Sequence, residues 1–300
     1  MQFLENVRTC VSVTGGKLYV DFTTLETLTP AGALLLVAEF DRWREIVEYQ
    51  RLQPIKLDRW DPTVKARLTE MGFFTLLNST EPVESEERCD PETGDRFVPF
   101  LSGHRSEGEK ARELRLSIER LGHRLAEPNA LFQGLTEAMT NVQQHAYDGS
   151  AAVKRWWMSA SVNSSGRKLR VMFVDHGLGI PKTLHPDLIE SVRAAAARVS
   201  ESWVKNDARL IEAAVKQGRS STRDSHRGNG LHQDIQGYIE NHDTSGTLRI
   251  VSGRGKYTYN KQHGVPGRAS THSLPVTFKG TFIEWIIEDF AEGDRNDQQN

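Results

Sequence analysis

The sequence predicts an α/β protein of two modules, a small β/α unit followed by a larger α/β unit. Three observations carry this. Apolar residues switch repeatedly between strand-like alternation and helix-like 3.6-residue spacing. An acidic stretch with two prolines, NSTEPVESEERCDPETGDR from Asn78 to Arg96, separates two such patterned regions. Apolar strand and helix signals in the second region meet at glycine-rich turns, VMFVDHGLGIP from Val171 and RGNGL from Arg227. A chain of 300 residues, 37% hydrophobic, has ample material for two packed cores. The expected boundaries are 1–78, a linker at 79–96, 97–291, and a disordered tail at 292–300.

In the first module, Val11 and Val13, a Gly15-Gly16 turn, and Leu18, Val20 and Phe22 read as a β-hairpin. Thr29-Pro30 starts a helix, with a capping hydroxyl and proline at the first helical position. Leu34, Leu35, Phe40, Trp43 and Val47 continue it. A short strand is expected at Pro54–Leu57, and a second helix starts at Asp61-Pro62 and ends at Gly72, giving the order β-β-α-β-α.

Beyond the linker, 97–101 reads as a strand and Glu107–Leu125 as an amphipathic helix that can bury Leu114, Leu116, Ile118, Leu121 and Leu125. Pro128-Asn129 opens the stretch around which the second module is organised, LFQGLTEAMTNVQQHAY from Leu131 to Tyr147. Leu131, Leu135, Met139 and Val142 form its apolar face. Glu137, Asn141 and His145, spaced four and four, stack a carboxylate, an amide and an imidazole on a second face that carries no Lys or Arg.

From Val153 to Asp175 the pattern is strand, turn, strand, with Trp156, Trp157, Leu169, Val171 and Phe173 for burial. Asp175 closes the second strand, where α/β folds place ligand contacts. Two helical stretches, 188–199 and 209–217, then lead into GRSSTRDSHRGNGL, whose hydroxyls (Ser220, Ser221, Thr222), cations and glycines suit a lid over phosphate. It is not a P-loop, since no Lys-Ser or Lys-Thr follows the glycines. Strands are expected at 247–251, 256–259 and 278–288, with His263–Ser273 as a Gly/Pro/Ser insertion of no clear role.

These stretches, in this order, resemble the boxes of the GHKL (Bergerat-type) ATP-binding fold shared by gyrase-type ATPases, sensor histidine kinases and anti-sigma-factor serine kinases, which implies a two-layer α/β sandwich, one helical layer on a sheet, for the second module. The Leu131–Tyr147 helix is similar to the N box, Asp175 with Gly177 and Gly179 to the first glycine box, and Arg227, Gly228, Asn229, Gly230 and Leu231 to the second. Gly280-Thr281-Phe282 looks like the last box. The spelling E-A-x-x-N-x-x-x-H-A-Y is closest to the serine kinases. The first module resembles the STAS fold of anti-sigma-factor antagonists through VDFTTLETLTPAGALLL and ARLTEMGFFTLL. Ala31 stands where phosphorylatable STAS domains carry serine before the helix glycine, so a structural or partner-binding module is expected, with Thr29 as a helix cap.

The resemblance implies ATP and Mg²⁺ as cofactors. It assigns Asp175 the hydrogen bond to the adenine amino group, which suits an acceptor-only carboxylate. Asn141 offers Mg²⁺ an amide oxygen, and Glu137, one turn earlier, can orient a nucleophile and accept its proton. His145, Ser220, Ser221, Thr222, the second glycine box and Thr281 complete the nucleotide-binding set. The nucleophile stays open. Water makes an ATPase, a partner's hydroxyl a protein kinase, and a third reading has ATP reshape the lid to gate a partner.

Neither His104 nor His123 carries a histidine-kinase acceptor signature, so no histidine autokinase is expected. Cys10 and Cys89 have no metal-type spacing, nor do His226 and His232. With a formal charge of −2 no global field favours nucleic acid or anionic membrane, although local basic patches fit within that total. A protein partner and a homo-oligomer are open, no nucleic acid or membrane is expected, and a cytoplasmic location is expected from the absence of a leader or spanning segment.

Overall fold

The structure, a computed structural model, describes residues 18–46, 52–78, 94–121, 125, 128–149, 151, 153–163, 168–184, 189–190, 206–217, 235–240 and 245–288. The first hairpin arm at Val11–Val13, most of the 188–199 helix, His123 and the tail lie outside these residues.

Strand β1 (Leu18–Val20) pairs in parallel with β2 (Leu52–Pro54). Between them runs α1 (Pro30–Ile46), capped as its sequence predicts: Thr29 Oγ1 accepts the Gly32 N–H at 3.1 Å. The strand expected at Pro54–Leu57 lies earlier. Lys56 turns left-handed at φ 55°, and a 3₁₀ turn at Leu57–Arg59 ends the extended run. Helix α2 (Pro62–Glu70) is capped by Asp61, which accepts the Val64 N–H at 3.0 Å, and Gly72 at φ 87° separates it from α3 (Phe73–Leu76).

The larger sheet has six strands: β3 (Asp95–Phe97), β4 (Leu101–Gly103), β5 (Trp156–Asn163), β6 (Lys168–Asp175), β7 (Ser245–Gln262) and β8 (Val265–Glu288). The order is β3-β5-β6-β8-β7 with β4 also on β5, and every pairing is antiparallel. Residues 95 and 96, read as linker, are therefore strand, because Phe97 buries its ring and draws its neighbours into register with β5.

Helices α4 (Gly108–Arg120), α5 (Pro128–Asn141), α6 (Ile180–Thr183), α7 (Asp207–Gln217) and α8 (Gly237–Glu240) accompany this sheet. Helix α4 stops short of Leu125, with Gly122 just beyond its end. Leu114, Ile118, Leu131, Leu135, Met139, Val142 and Ile211 pack on one face of the sheet against Trp156, Val171, Phe173 and Trp285. On the opposite face Trp157, Met172, Val174 and Phe282 join one core with Leu34, Phe40, Trp43 and Phe73 of α1 and α3. Helices thus cover both faces of the sheet, where the sequence reading places one helical layer. The adjacent tryptophans, both fully buried, show the division: alternation sends them to opposite cores.

The expected insertion at His263–Ser273 is strand, turning from β7 into β8 at Gly264 (φ 70°) with Gln262 opposite Val265. The β7–β8 ribbon folds back on itself. Thr247 Oγ1 donates to Asn260 Oδ1 at 2.8 Å, although thirteen extended residues would span roughly 40 Å. Register breaks at Gly253 (φ 58°) and Gly255 allow the bend.

Candidate functional site

The site begins where α5 ends. The helix buries Leu131, Leu135, Ala138 and Met139 and leaves Glu137 and Asn141 half-buried on its other side. Asn141 Nδ2 donates to Glu137 Oε1 at 3.1 Å. That bond turns the amide oxygen of Asn141 away from the carboxylate and leaves it as the free acceptor of the pair. His145 does not continue the row. Residues Val142–Ala146 form a π-helical turn, whose wider i→i+5 winding changes the four-residue step, and His145 stands exposed on it.

The loop after β6 is sewn to this helix end. Leu178 N–H donates to Ala146 O at 2.6 Å, and His176 N–H donates to Tyr147 Oη at 3.1 Å, while Tyr147 Oη donates to Arg155 O at 2.5 Å. Burial pushes the Tyr147 phenol above its ordinary range, so it stays a donor. A Cβ on Gly177 would lie 2.1 Å from Ala146 O, and one on Gly179 (φ 86°) 2.6 Å from Ser252 Oγ. Both glycines thus permit close packing of protein on protein. Ser252 Oγ accepts the Ile180 N–H at 2.9 Å and donates to Gly280 O at 2.8 Å, pinning this loop to β8.

Asp175 sits between. It faces Thr281 across β6 and β8, and its Oδ1 accepts the Gly177 N–H at 2.7 Å. The carboxyl is 3% exposed. Burial pushes its pKa up to about 7, against hydrogen bonds from the Gly177 backbone and from the Thr281 backbone and hydroxyl, which lower it. Among the described residues no cation pairs with it.

Two residues unmarked in the sequence complete the surroundings. His176 is buried beside Asp175, with Nδ1 3.3 Å from Glu39 Oε2 of α1 and its ring 5.0 Å from that of Trp157. Asp41, also on α1, accepts from Trp157 Nε1 at 2.8 Å and from Arg155 Nη1 at 2.9 Å. Arg155 further pairs with Glu45 at 2.5 Å, and its Nη2 lies 2.8 Å from His104 Nε2. The one available sequence signal is the density of acids in an otherwise apolar helix, AEFDRWRE.

The structure therefore pairs Glu137 with Asn141 and Asp175 with Gly177 and Thr281, and bonds the loop after Asp175 to Ala146 and Tyr147, just past the end of α5. Ser220, Ser221, Thr222, Arg227, Gly228, Asn229, Gly230 and Leu231 lie outside the described residues. Among the described residues no group of three His, Cys, Asp or Glu could hold a metal ion, and no helix is long and apolar enough to cross a membrane. No family model matches the chain, and no curated protein matches its sequence.

Proposed function

We propose that the chain binds ATP with Mg²⁺ at the seam between the end of α5 and the loop after β6, as a GHKL-type domain joined to a STAS-like module. The observation that carries this reading is Asp175. A buried carboxylate without a cation is costly, and a carboxyl raised to about 7 at a strand end is the type of perturbed group that gathers at functional sites. The donor set fits. A desolvated acceptor selects an exocyclic amino group, and the neighbouring Thr281 hydroxyl adds polarity at the same point.

Mg²⁺ keeps several waters and takes few protein ligands beside phosphate oxygens, so one amide oxygen suffices. Asn141 would supply it, and Glu137 would hold Asn141 in that orientation. When bound, Mg·ATP supplies a polarised terminal phosphoryl group. Glu137, half-buried, would orient the attacking hydroxyl or water and take its proton. The acceptor is water or a partner's hydroxyl. A regulatory switch acting on a protein partner suits the wiring between α1 and the Asp175 loop. That same wiring favours the second reading, a nucleotide-gated binding protein with slow turnover.

Incubation with γ-labelled ATP tests the two. Label released as phosphate marks an ATPase, label on a co-purified protein marks a kinase, and tight ATP binding without either marks the gated binder. Absence of ATP binding would sink the reading.

A further inference from the structure

From Ser245 to Ile283 the chain has no Asp or Glu but six basic residues, Arg249, Arg254, Lys256, Lys261, Arg268 and Lys279, although the whole chain carries 40 acidic against 38 basic side chains. The folded-back ribbon of β7 and β8 concentrates part of this charge on one face. Three successive cross-strand pairs are Lys256 with His272, Thr258 with Ser270, and Asn260 with Arg268. Strand alternation puts all six on the same side. Tyr257 and Tyr259 point to the other side and are buried, the Tyr257 hydroxyl donating to Gln236 at 2.7 Å. Gly255, also on that side, lies against Ala208 of α7.

Arg268, His272, Ser270 and Asn260 are exposed and Lys256 is half-buried, while Thr258 is buried. Among the described residues no carboxylate pairs with Lys256 or Arg268. The exposed Arg254 guanidinium donates to the Leu274 and Pro275 carbonyls at 3.2 and 3.3 Å, while its backbone N–H donates to Asp207 Oδ2 at 2.7 Å.

We propose that this face of the ribbon binds double-helical nucleic acid through its phosphates. Cations interleaved with hydroxyl and amide groups are the side chains that contact phosphate and sugar. The three pairs hold no apolar side chain, whereas a protein interface needs a buried apolar or aromatic centre. They hold no aromatic ring either, which a single strand would need for base stacking. Binding is expected to be independent of sequence and strongly salt-dependent. The near-neutral total charge hides this patch, because the acids lie elsewhere in the chain.

The test is fluorescence anisotropy of the full chain with a labelled 30-base-pair DNA duplex at 50 and 200 mM salt. Wild-type protein should bind at 50 mM and weaken steeply at 200 mM. The double variant Lys256→Gln with Arg268→Gln should make the slope of log affinity against log salt shallower by about two, roughly one per lost phosphate contact. Its melting temperature should match wild type. Asp175→Asn should bind the duplex as wild type does, which separates this proposal from the nucleotide site. No binding at 50 mM, an unchanged slope in the double variant, tighter binding of a single strand, or binding of labelled polyglutamate in place of the duplex would each overturn it.

Discussion

Nδ1 of His176 lies 3.3 Å from Oε2 of Glu39, and both side chains are almost wholly buried. Glu39 also accepts from Arg42 at 2.7 Å. Helix α1 of the first module thus grips the residue next to Asp175. Removing Glu39 takes the buried carboxylate partner from Arg42 and the neighbouring acceptor from His176, at about 3–5 kcal/mol. Glu39→Ala should lose stability on that scale in urea denaturation. Glu113→Ala breaks only the exposed pair with Lys110 at 3.5 Å, and should change stability by no more than about 0.5 kcal/mol.

Asp175 gives the stability a pH dependence of defined sign. Its folded value of about 7 lies above the ordinary 3.8, so the folded state holds a proton that the unfolded state releases. That contribution is complete below about pH 4 and is lost as pH rises through 7, to at most about 4 kcal/mol. Asp175→Asn removes the titration. The melting temperature of the variant relative to wild type should therefore rise between pH 5 and pH 8. A difference that stays flat would show that Asp175 is ionised in the fold throughout.

Much of the local structure was legible because its causes are local. Thr29 and Asp61 cap the helices they precede, and Leu131, Leu135, Met139 and Val142 bury the predicted face. Asp175 and Thr281, far apart in sequence, face each other across β6 and β8. What escaped was long-range. Nothing near His176 in sequence points to Glu39, and the apolar alternation around Trp156 and Trp157 does not say that α1 covers the second face. The 263–273 segment reads as a Gly/Pro/Ser insertion between strands, yet backbone pairing with β7 makes it part of the ribbon. The π turn at Val142–Ala146 breaks a spacing rule that assumes α geometry.

Gly280 and Gly177 set the spacing of the seam. Gly280 has φ 93°, and a Cβ there would lie 2.0 Å from Asp175 O; on Gly177 it would lie 2.1 Å from Ala146 O. Alanine at either position should destabilise by about 1–3 kcal/mol or more. Gly149→Ala, with nothing within 4 Å, should stay within about 0.5 kcal/mol of wild type. Chemical denaturation of the three variants checks the ranking.

Glu137→Gln keeps shape and the contact with Asn141 but removes the base. Single-turnover measurement with labelled ATP should show binding preserved and chemistry slowed by roughly 10²–10⁴-fold. Turnover equal to wild type would remove Glu137 from the chemistry and favour the gated-binder reading.

The central claim is that Asp175 recognises the adenine amino group. Isothermal titration with Mg·ATP and Mg·ITP tests it most directly, because the two share a triphosphate and differ where ATP carries an amino donor and ITP a carbonyl. Wild-type protein should prefer ATP, and the preference should grow from pH 6 to pH 8 as the Asp175 carboxyl, at about 7, ionises into a pure acceptor. Asp175→Asn should lose most of the ATP affinity and the pH-dependent part of the preference. Equal binding of ATP and ITP by wild type, or an Asp175→Asn variant that binds ATP as wild type does, would contradict the account.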